Sequence, residues 1–119
     1  MDFSGLLDAP AGKHGKIIIR NGHWEFEDKT GEALRFYGTN LCMESVFLDK
    51  ETAEKIADRI AMNGYNSVRF HAFDRILTKE TAPGSIEFNS DKLDQMDYLF
   101  HCLKQRGIYI TIDLYISRL

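Results

Sequence analysis

The chain has 119 residues, with 15 basic and 18 acidic side chains and a net charge of -3. Hydrophobic residues make up 44% of it and charged residues 28%, as is typical of a one-domain globular protein. This mild charge offers no basic surface for a nucleic acid or a membrane. No apolar run could span a bilayer, and no secretory leader stands at the N-terminus, so the cytoplasm is the default expectation while the compartment stays open.

The sequence predicts no metal, nucleotide or redox cofactor. Its two cysteines, Cys42 and Cys102, fall in different predicted elements and lack the spacing of a metal site, so we interpret them as reduced, mostly buried thiols. There is also no P-loop and no GxGxxG motif.

The N-terminal third of the chain is predicted to be a lead-in followed by an antiparallel ribbon. Residues 1–15 are rich in glycine, alanine and proline and read as irregular. Asn21-Gly22 stands between "KIIIR" and "HWEFE", which favours a tight hairpin. A second turn at residues 28–31 precedes "ALRFYG", the expected third strand. We assign residues 1–33 to this lead-in and ribbon, and 34–119 to the main unit.

A helix is predicted over "DKETAEKIADRIAMNG". Asp49 is placed to cap its N-terminus, and Gly64 is placed to end it. Its apolar residues recur with helical spacing and form one buried stripe: Ala53, Ile56, Ala57, Ile60 and Ala61. Directly afterwards, "NSVRFHAFDR" contains a buried strand over residues 68–71.

A second helix is predicted over "SDKLDQMDYLFHCLKQRG", after a looser stretch marked by Pro83-Gly84. Ser90 is its expected N-cap and Gly107 its end. The predicted buried stripe consists of Leu93, Met96, Leu99, Phe100 and Leu103. The third strand is "IYITIDLYI", residues 108–116. The order strand–helix–strand–helix–strand predicts an α/β fold with a parallel sheet and right-handed crossovers.

Strand alternation predicts one apolar and one polar face for this sheet. The apolar side of the third strand, expected against the helices, is Ile108, Ile110, Ile112, Leu114 and Ile116. The other face turns polar toward the strand ends, with Asn40, Arg69, His71, Asp113 and Tyr115. Because parallel α/β folds bind ligands at the carboxyl ends of their strands, these side chains predict a functional site. An Arg69–Asp113 ion pair of purely structural role stays open as an alternative.

The segments "GHWEFEDKTGEALRFYGTNL", "EKIADRIAMNGYNSVRFHAFDR" and "LDQMDYLFHCLKQRGIYITIDLYISR" resemble the N-terminal part of clan A glycoside hydrolases, and most of all family 5, which is cellulase-like. The resemblance covers residues 16 to 119. It implies that residues 34–119 are the first three strands and two helices of a (β/α)8 barrel, or TIM barrel. It also implies retaining hydrolysis of a β-linked oligo- or polysaccharide.

The resemblance also implies roles for single residues. Arg69 is similar to the arginine that supports the nucleophile carboxylate, and Asn40 to the polar residue that ends the first strand. His71 matches the histidine after "VRF", whereas Ala72 replaces a second histidine. Asp113 and Tyr115 stand where many members have Asp-x-His. The departures at Ala72 and Tyr115 leave the sugar specificity open.

Both catalytic carboxylates of such an enzyme are expected outside these 119 residues. Retaining enzymes need two carboxyl groups about 5 to 5.5 Å apart, and the resemblance implies that they end the fourth and seventh barrel strands. A barrel of this kind takes about 250 residues. We therefore expect the N-terminal part of a larger enzyme, inactive alone, with the remainder of the barrel as the partner that covers its open surfaces.

Other functions remain open at this stage. The chain could be a non-catalytic carbohydrate-binding or scaffold module, with Trp24, Tyr37 and Tyr115 as sugar-stacking rings. A receiver-like signalling domain would need clustered acids after the first strand, where only Glu44 is present. If these 119 residues held a catalytic pair of carboxylates, it would have to come from Glu44, Asp74 and Glu87, the acids nearest the carboxyl ends of the predicted strands.

Overall fold

The computed structural model describes residues 1–79 and 87–117. The predicted Pro83-Gly84 turn lies outside the described residues. The strands in this part of the chain are β1 Ile17–Arg20, β2 His23–Phe26, β3 Gly38–Cys42, β4 Ser67–His71, β5 Thr78–Lys79, β6 Glu87–Phe88 and β7 Tyr109–Ile112. The α-helices are α1 Lys50–Met62, α2 Asp74–Leu77 and α3 Ser90–Gln105, and 3-10 turns span Ser4–Leu6 and Met43–Val46.

Strands β3, β4 and β7 form a parallel sheet in that spatial order. In its register Asn40 lies beside Arg69, and Arg69 lies beside Thr111. Helices α1 and α3 connect consecutive strands of this sheet and pack against each other. The predicted α/β class with a parallel sheet is therefore confirmed.

The hydrophobic core lies between the sheet and these two helices. Val68 and Phe70 are fully buried, as strand alternation predicts for the helix-facing side of β4. Helix α1 contributes three alanines and Ile60, and α3 contributes larger side chains. Full burial of a valine, leucine or phenylalanine side chain contributes about 1.5–3 kcal/mol relative to exposure, so this layer dominates stability. The buried helix residues are Ala53, Ala57, Ile60, Ala61, Leu99, Cys102 and Leu103.

The ends of α1 are as predicted, but the start of α3 is not. The Asp49 carboxylate accepts a hydrogen bond from the Thr52 amide at 2.9 Å, and Gly64 has a φ of 77°. At α3, Asn89 rather than Ser90 is the cap, because its side-chain oxygen accepts hydrogen bonds from the amides of Asp91 and Lys92. Asn89 and Ser90 are both of residue types that commonly cap helices, and in the structure the earlier of the two is the cap.

The third strand is shorter than predicted. It ends at Ile112, and residues 114–117 are bends. Ile112, Leu114 and Ile116, expected to be buried, are 39%, 87% and 50% exposed. The strand ends before the backbone amides of Ile116 and Ser117, which donate to the carboxylate of Asp74 and turn the chain away from the sheet.

The buried stripe of α3 also differs from the prediction at one position. Phe100 is 38% exposed, whereas Cys102 is only 1% exposed. Leu99, Cys102 and Leu103 follow the i, i+3, i+4 spacing of a single helix face, from which Phe100 is rotated by about 100°.

A β1–β2 hairpin closes the N-terminal end of the sheet's other face. Asn21 and Gly22, with φ values of 53° and 80°, join the two strands. The ring of Tyr109 contacts those of Phe26 and Phe36, with centroids 5.5 and 5.9 Å apart. Residues 32–37 form no third ribbon strand, so that prediction is wrong. The Leu34 amide donates to the Trp24 carbonyl of the hairpin, whereas Arg35 and Tyr37 are hydrogen-bonded to Asn66, just before β4.

The lead-in runs across the C-terminal ends of α1 and α3. The Phe3 amide donates to the Met62 carbonyl, and the Ala11 amide donates to the Lys104 carbonyl. At Gly107, where φ is 81°, an added Cβ would lie 2.9 Å from the backbone of Asp8. This glycine therefore permits both the end of α3 and the close approach of the lead-in. Within the described residues, none of the helices combines the length and apolarity that crossing a membrane requires.

Candidate functional site

The candidate site lies on the helix-free face of the sheet, near the carboxyl ends of its strands. Alternation places Arg69 and His71 of β4 on this face, with Asn40 and Cys42 beside them on β3. The Asp113 amide still donates to the Phe70 carbonyl at 3.2 Å, which holds Asp113 beside the end of β4. Of the polar side chains predicted at the strand ends, Arg69 and His71 of β4 thus meet Asp113, which follows β7.

The carboxylate of Asp113 joins two side chains of β4. Arg69 Nε donates to both of its oxygens, at 3.1 and 2.9 Å, and Arg69 Nη2 lies 2.7 Å from Oδ2. His71 Nδ1 lies 2.5 Å from the same Oδ2. An ionised carboxylate only accepts hydrogen bonds, so Nδ1 carries the hydrogen, and Nε2 stays outside this contact.

The electrostatics of this cluster keep its central pair charged. Hydrogen bonds from Arg69, and then from His71, lower the pKa of Asp113 below its ordinary value. In turn, the hydrogen bond to Asp113 raises the pKa of Arg69. The Asp113 side chain is 15% exposed and that of Arg69 43%, so the carboxylate is sheltered while the guanidinium reaches the surface. The cluster presents a fixed cation to anything that occupies this face.

The structure does not bring all five predicted site residues together. Asn40 lies beside Arg69 in the sheet and is exposed. In the described part of the chain its side chain makes no hydrogen bond. Tyr115 lies beyond the end of β7 and is 69% exposed. Its ring lines an apolar recess of about 350 Å³ together with Phe88 and Leu114, and Asp113 lies at the border of that recess.

Asp74 fixes the segment that follows Asp113. Its carboxylate accepts from the Ser117 amide at 3.0 Å, the Ser117 hydroxyl at 2.6 Å and the Ile116 amide at 3.2 Å. Burial of Asp74, which is 9% exposed, raises its pKa, but these hydrogen bonds together outweigh burial and lower the pKa to about 2. The loop after β7 is thus attached to the start of α2 by a carboxylate that stays ionised.

The three acids considered for a two-carboxylate site have separate environments. Asp74 is largely buried and already accepts the hydrogen bonds described above. Glu44 is exposed in the 3-10 turn after β3, and Glu87 is exposed in β6, paired with Lys79 of β5. These carboxylates therefore do not converge on one place where a substrate could bind. Across residues 1–79 and 87–117, no group of three His, Cys, Asp or Glu side chains is placed to hold a metal ion.

The aromatic side chains considered for sugar stacking lie at opposite ends of the sheet. Tyr37 precedes β3 and stacks on Tyr65 with ring centroids 4.5 Å apart. Trp24 packs edge-on against Phe36, beside the hairpin. Tyr115 follows the carboxyl end of β7. These three rings therefore form no common platform.

Two residues of this region were missed by the sequence reasoning. Ser117 donates to Asp74, and only the spatial proximity of α2 and the loop after β7 reveals it. Cys42 was expected to be buried like Cys102 but is exposed beside His71, because the same alternation that identified Asn40 places it on the polar face. Extending the alternation by one step along β3 would have found Cys42.

Comparisons with known proteins give a likeness of fold. No protein-family description matches the chain, and no curated protein matches it. Among solved structures, a glycoside hydrolase family 5 protein from Bacteroides vulgatus is similar to it, with a TM-score of 0.62 and 18% sequence identity. The match covers 88% of this chain and 25% of that protein, so the chain spans about a quarter of its solved neighbour.

Proposed function

We propose that this chain is the N-terminal part of a retaining glycoside hydrolase that acts on β-linked glycans. Residues 34–119 form the first strand–helix–strand–helix–strand portion of its (β/α)8 barrel, and residues 1–33 form the lead-in and ribbon at its base. The fold likeness to a family 5 glycoside hydrolase supports this assignment. The observation that carries it is the Arg69–Asp113–His71 cluster at the carboxyl ends of parallel strands.

In this proposal the cluster holds a sugar and prepares the site for a carboxylate. Asp113 fixes Arg69 through Nε and Nη2, and no described residue bonds Nη1. A guanidinium held in this way can support the nucleophile carboxylate and keep it ionised. Asn40 and His71 Nε2 supply hydrogen bonds to sugar hydroxyls, and Tyr115 borders the same opening.

The remainder of the barrel is the proposed partner. β7 is an edge strand of the sheet and pairs only with β4 among the described strands. Apolar side chains lie open along the flank formed by β7 and α3, and two recesses of about 290 and 350 Å³ lie there. A further parallel strand and its helix would pair with this edge and cover this flank. The exposed apolar residues are Phe88, Phe100, Ile112, Leu114 and Ile116.

Hydrolysis requires the acid/base and nucleophile carboxylates, and we place both in that remainder. Catalysis with retention needs two carboxyl groups about 5–5.5 Å apart, flanking the scissile bond. Glu44, Asp74 and Glu87, the described acids near the carboxyl ends of the strands, form no such pair. We therefore propose that these 119 residues are inactive alone.

The proposal is tested with the full-length product of the gene that encodes this chain. Release of reducing sugar is measured from β-1,4-glucan, β-1,4-mannan, β-1,4-xylan and β-1,3-glucan, for the wild type and for Arg69→Ala. We expect hydrolysis of at least one polymer and a loss of about 10²–10³-fold in kcat for Arg69→Ala, the scale seen when a positioned electrostatic stabiliser is removed.

A matched control is Arg59→Ala, which removes an exposed arginine of α1 whose side chain has no partner in the described part of the chain. It should keep wild-type kcat. Wild-type activity in Arg69→Ala would contradict the site assignment. Absence of hydrolysis on all four polymers would contradict the enzymatic function.

A second candidate is a non-catalytic carbohydrate-binding or scaffold module. The Arg69–Asp113–His71 cluster favours this function, because all three of its side chains belong to this chain. Binding of a β-linked oligosaccharide without hydrolysis by the full-length protein would select this function over the enzyme.

A further inference from the structure

A second recess lies at the carboxyl ends of the strands. Glu44 and Met43 follow β3, Ala72 and Arg75 follow β4, and Ser117 follows β7; together with Ile76 they line a cleft of about 390 Å³. Its volume is within the roughly 300–1,000 Å³ of small-molecule sites. Arg69, His71 and Asp113 do not line it, so this cleft is separate from the cluster described above.

The backbone at this cleft is held in an unusual conformation. Met43 and Ala72 have φ values of 52° and 53°, and the only other non-glycine residue with positive φ in the described ranges is Asn21, in the hairpin turn. Such a backbone costs about 1 kcal/mol or more and persists only where surrounding contacts hold it. The Ser45 hydroxyl, which bonds the backbone of Cys42 at 2.8 and 2.6 Å, fixes the first of these turns.

The segment that follows Ala72 is hydrogen-bonded to the loop after β7. Ser117 donates its amide and hydroxyl to Asp74, and its hydroxyl accepts a hydrogen bond from the Arg75 amide at 3.3 Å. The cleft therefore has walls from three loops, of which those after β4 and β7 are hydrogen-bonded to each other and that after β3 is held by its own Ser45.

The cleft contains one acidic side chain, Glu44, that can accept hydrogen bonds and one basic side chain, Arg75, that can donate them. The side chains of Glu44 and Arg75 are exposed, and neither has a hydrogen bond or ion pair within the described part of the chain. Met43, Ala72 and Ile76 supply apolar surface around them. A neutral sugar fits this combination, because its hydroxyls both donate and accept while its C–H faces need apolar contact. The opposite charges of Glu44 and Arg75 give a phosphate or uronate no net attraction to this cleft.

We propose that this cleft is a second sugar subsite, in which Glu44 accepts from, and Arg75 donates to, the hydroxyls of a neutral sugar unit. The substrate is then an oligo- or polysaccharide that extends from the Arg69–Asp113–His71 cluster, and not a glycoside with one sugar. The inference rests on the proposed function, which places the first sugar unit at that cluster.

The test is an NMR titration of the ¹⁵N-labelled protein. The ligands are β-1,4-linked tetrasaccharides of glucose, mannose and xylose and the methyl β-glycosides of the same sugars. We expect one tetrasaccharide to shift the amides of Glu44, Ala72 and Arg75 as well as those of Arg69 and His71. Its methyl β-glycoside should shift only the latter two. Glu44→Gln and Arg75→Gln should each weaken tetrasaccharide binding about tenfold, the usual loss for one hydrogen bond to a charged group, and leave the methyl β-glycoside unaffected.

Arg59→Gln serves as the control and should bind like the wild type. Tetrasaccharide shifts confined to Arg69 and His71, or unchanged binding by both cleft variants, would overturn the second subsite while leaving the proposed function in place. If none of the six ligands shifts any amide, the second subsite is overturned, and the hydrolysis assay on the four polymers decides the proposed function separately.

Discussion

The Asp113 carboxylate and the His71 imidazole, 42 residues apart in the chain, meet with Oδ2 and Nδ1 at 2.5 Å. Arg69, 44 residues from Asp113, shares the same carboxylate. One acid after β7 thus orients two side chains of β4. The parallel register makes this possible, because it brings the carboxyl ends of the two strands to the same edge of the sheet.

Replacing Asp113 by asparagine should release Arg69. The amide keeps the size of the side chain but loses the charge that two or more hydrogen bonds now stabilise. We expect the Arg69 Nε–H signal to exchange with solvent faster than in the wild type, and the urea midpoint of unfolding to fall. Asp97→Asn, an exposed substitution on α3, should change neither. An unchanged Arg69 Nε–H exchange rate in Asp113→Asn would show that this contact is absent in solution.

Asp74 should make the stability of the protein depend on acid pH. Its pKa falls from 3.8 to about 2 on folding, so the unfolded chain binds this proton more readily. The carboxylate therefore contributes about 2 kcal/mol above pH 5, and this contribution is lost as the pH falls from about 4 through 2. Urea unfolding at pH 5.5 and pH 2.5 should show a smaller pH effect in Asp74→Asn than in the wild type.

The same variant locates the loop contact. Asp74→Asn should also increase the hydrogen exchange of the Ile116 and Ser117 amides, which donate to this carboxylate. Asp94→Asn, on the exposed side of α3, is the matched control. Equal pH dependence in the wild type and Asp74→Asn would contradict the role of Asp74.

The cap of α3 can be assigned by two neighbouring substitutions. Asn89→Ala removes the oxygen that accepts from the Asp91 and Lys92 amides and should cost about 1 kcal/mol of unfolding free energy. Ser90→Ala removes a hydroxyl that plays no part in the cap and should stay within about 0.5 kcal/mol of the wild type. Chemical denaturation measures both losses of unfolding free energy. A larger loss in Ser90→Ala than in Asn89→Ala would identify Ser90 as the cap.

Gly107 should tolerate no side chain. Alanine there meets both a φ of 81° and a backbone contact with Asp8 at 2.9 Å, so Gly107→Ala should lower stability by more than about 1 kcal/mol. At Gly5, an added Cβ has no neighbour within 4 Å and φ is not positive, so Gly5→Ala is the control. Equal melting temperatures for the two variants would mean that the lead-in does not pack against the end of α3.

Local patterns predicted the features that depend on local contacts. The stripe of α1 and the cap by Asp49 follow from helical spacing and from one hydrogen bond three residues away. The opposite orientations of Phe70 and Arg69 follow from strand alternation. In these elements, the neighbours of each residue in the sequence determine whether its side chain is buried or exposed.

The features that the sequence did not reveal depend on distant contacts. Strand β7 ends at Ile112, before the loop that is hydrogen-bonded to Asp74, 43 residues before Ser117, whereas alternation alone extended the strand too far. Tyr115 was displaced from the predicted row of polar side chains for the same reason. Phe100 remains exposed on the open flank of α3, and helical spacing cannot distinguish a flank that is open from one that is covered.

The most direct test of the central claim is the anomeric configuration of the first product of hydrolysis. Proton NMR follows the digestion of a β-linked oligosaccharide by the full-length product of the gene, before mutarotation mixes the anomers. A retaining glycosidase of the proposed kind releases the β-anomer first. Initial release of the α-anomer would contradict the retaining mechanism, and absence of any product would contradict the glycosidase function.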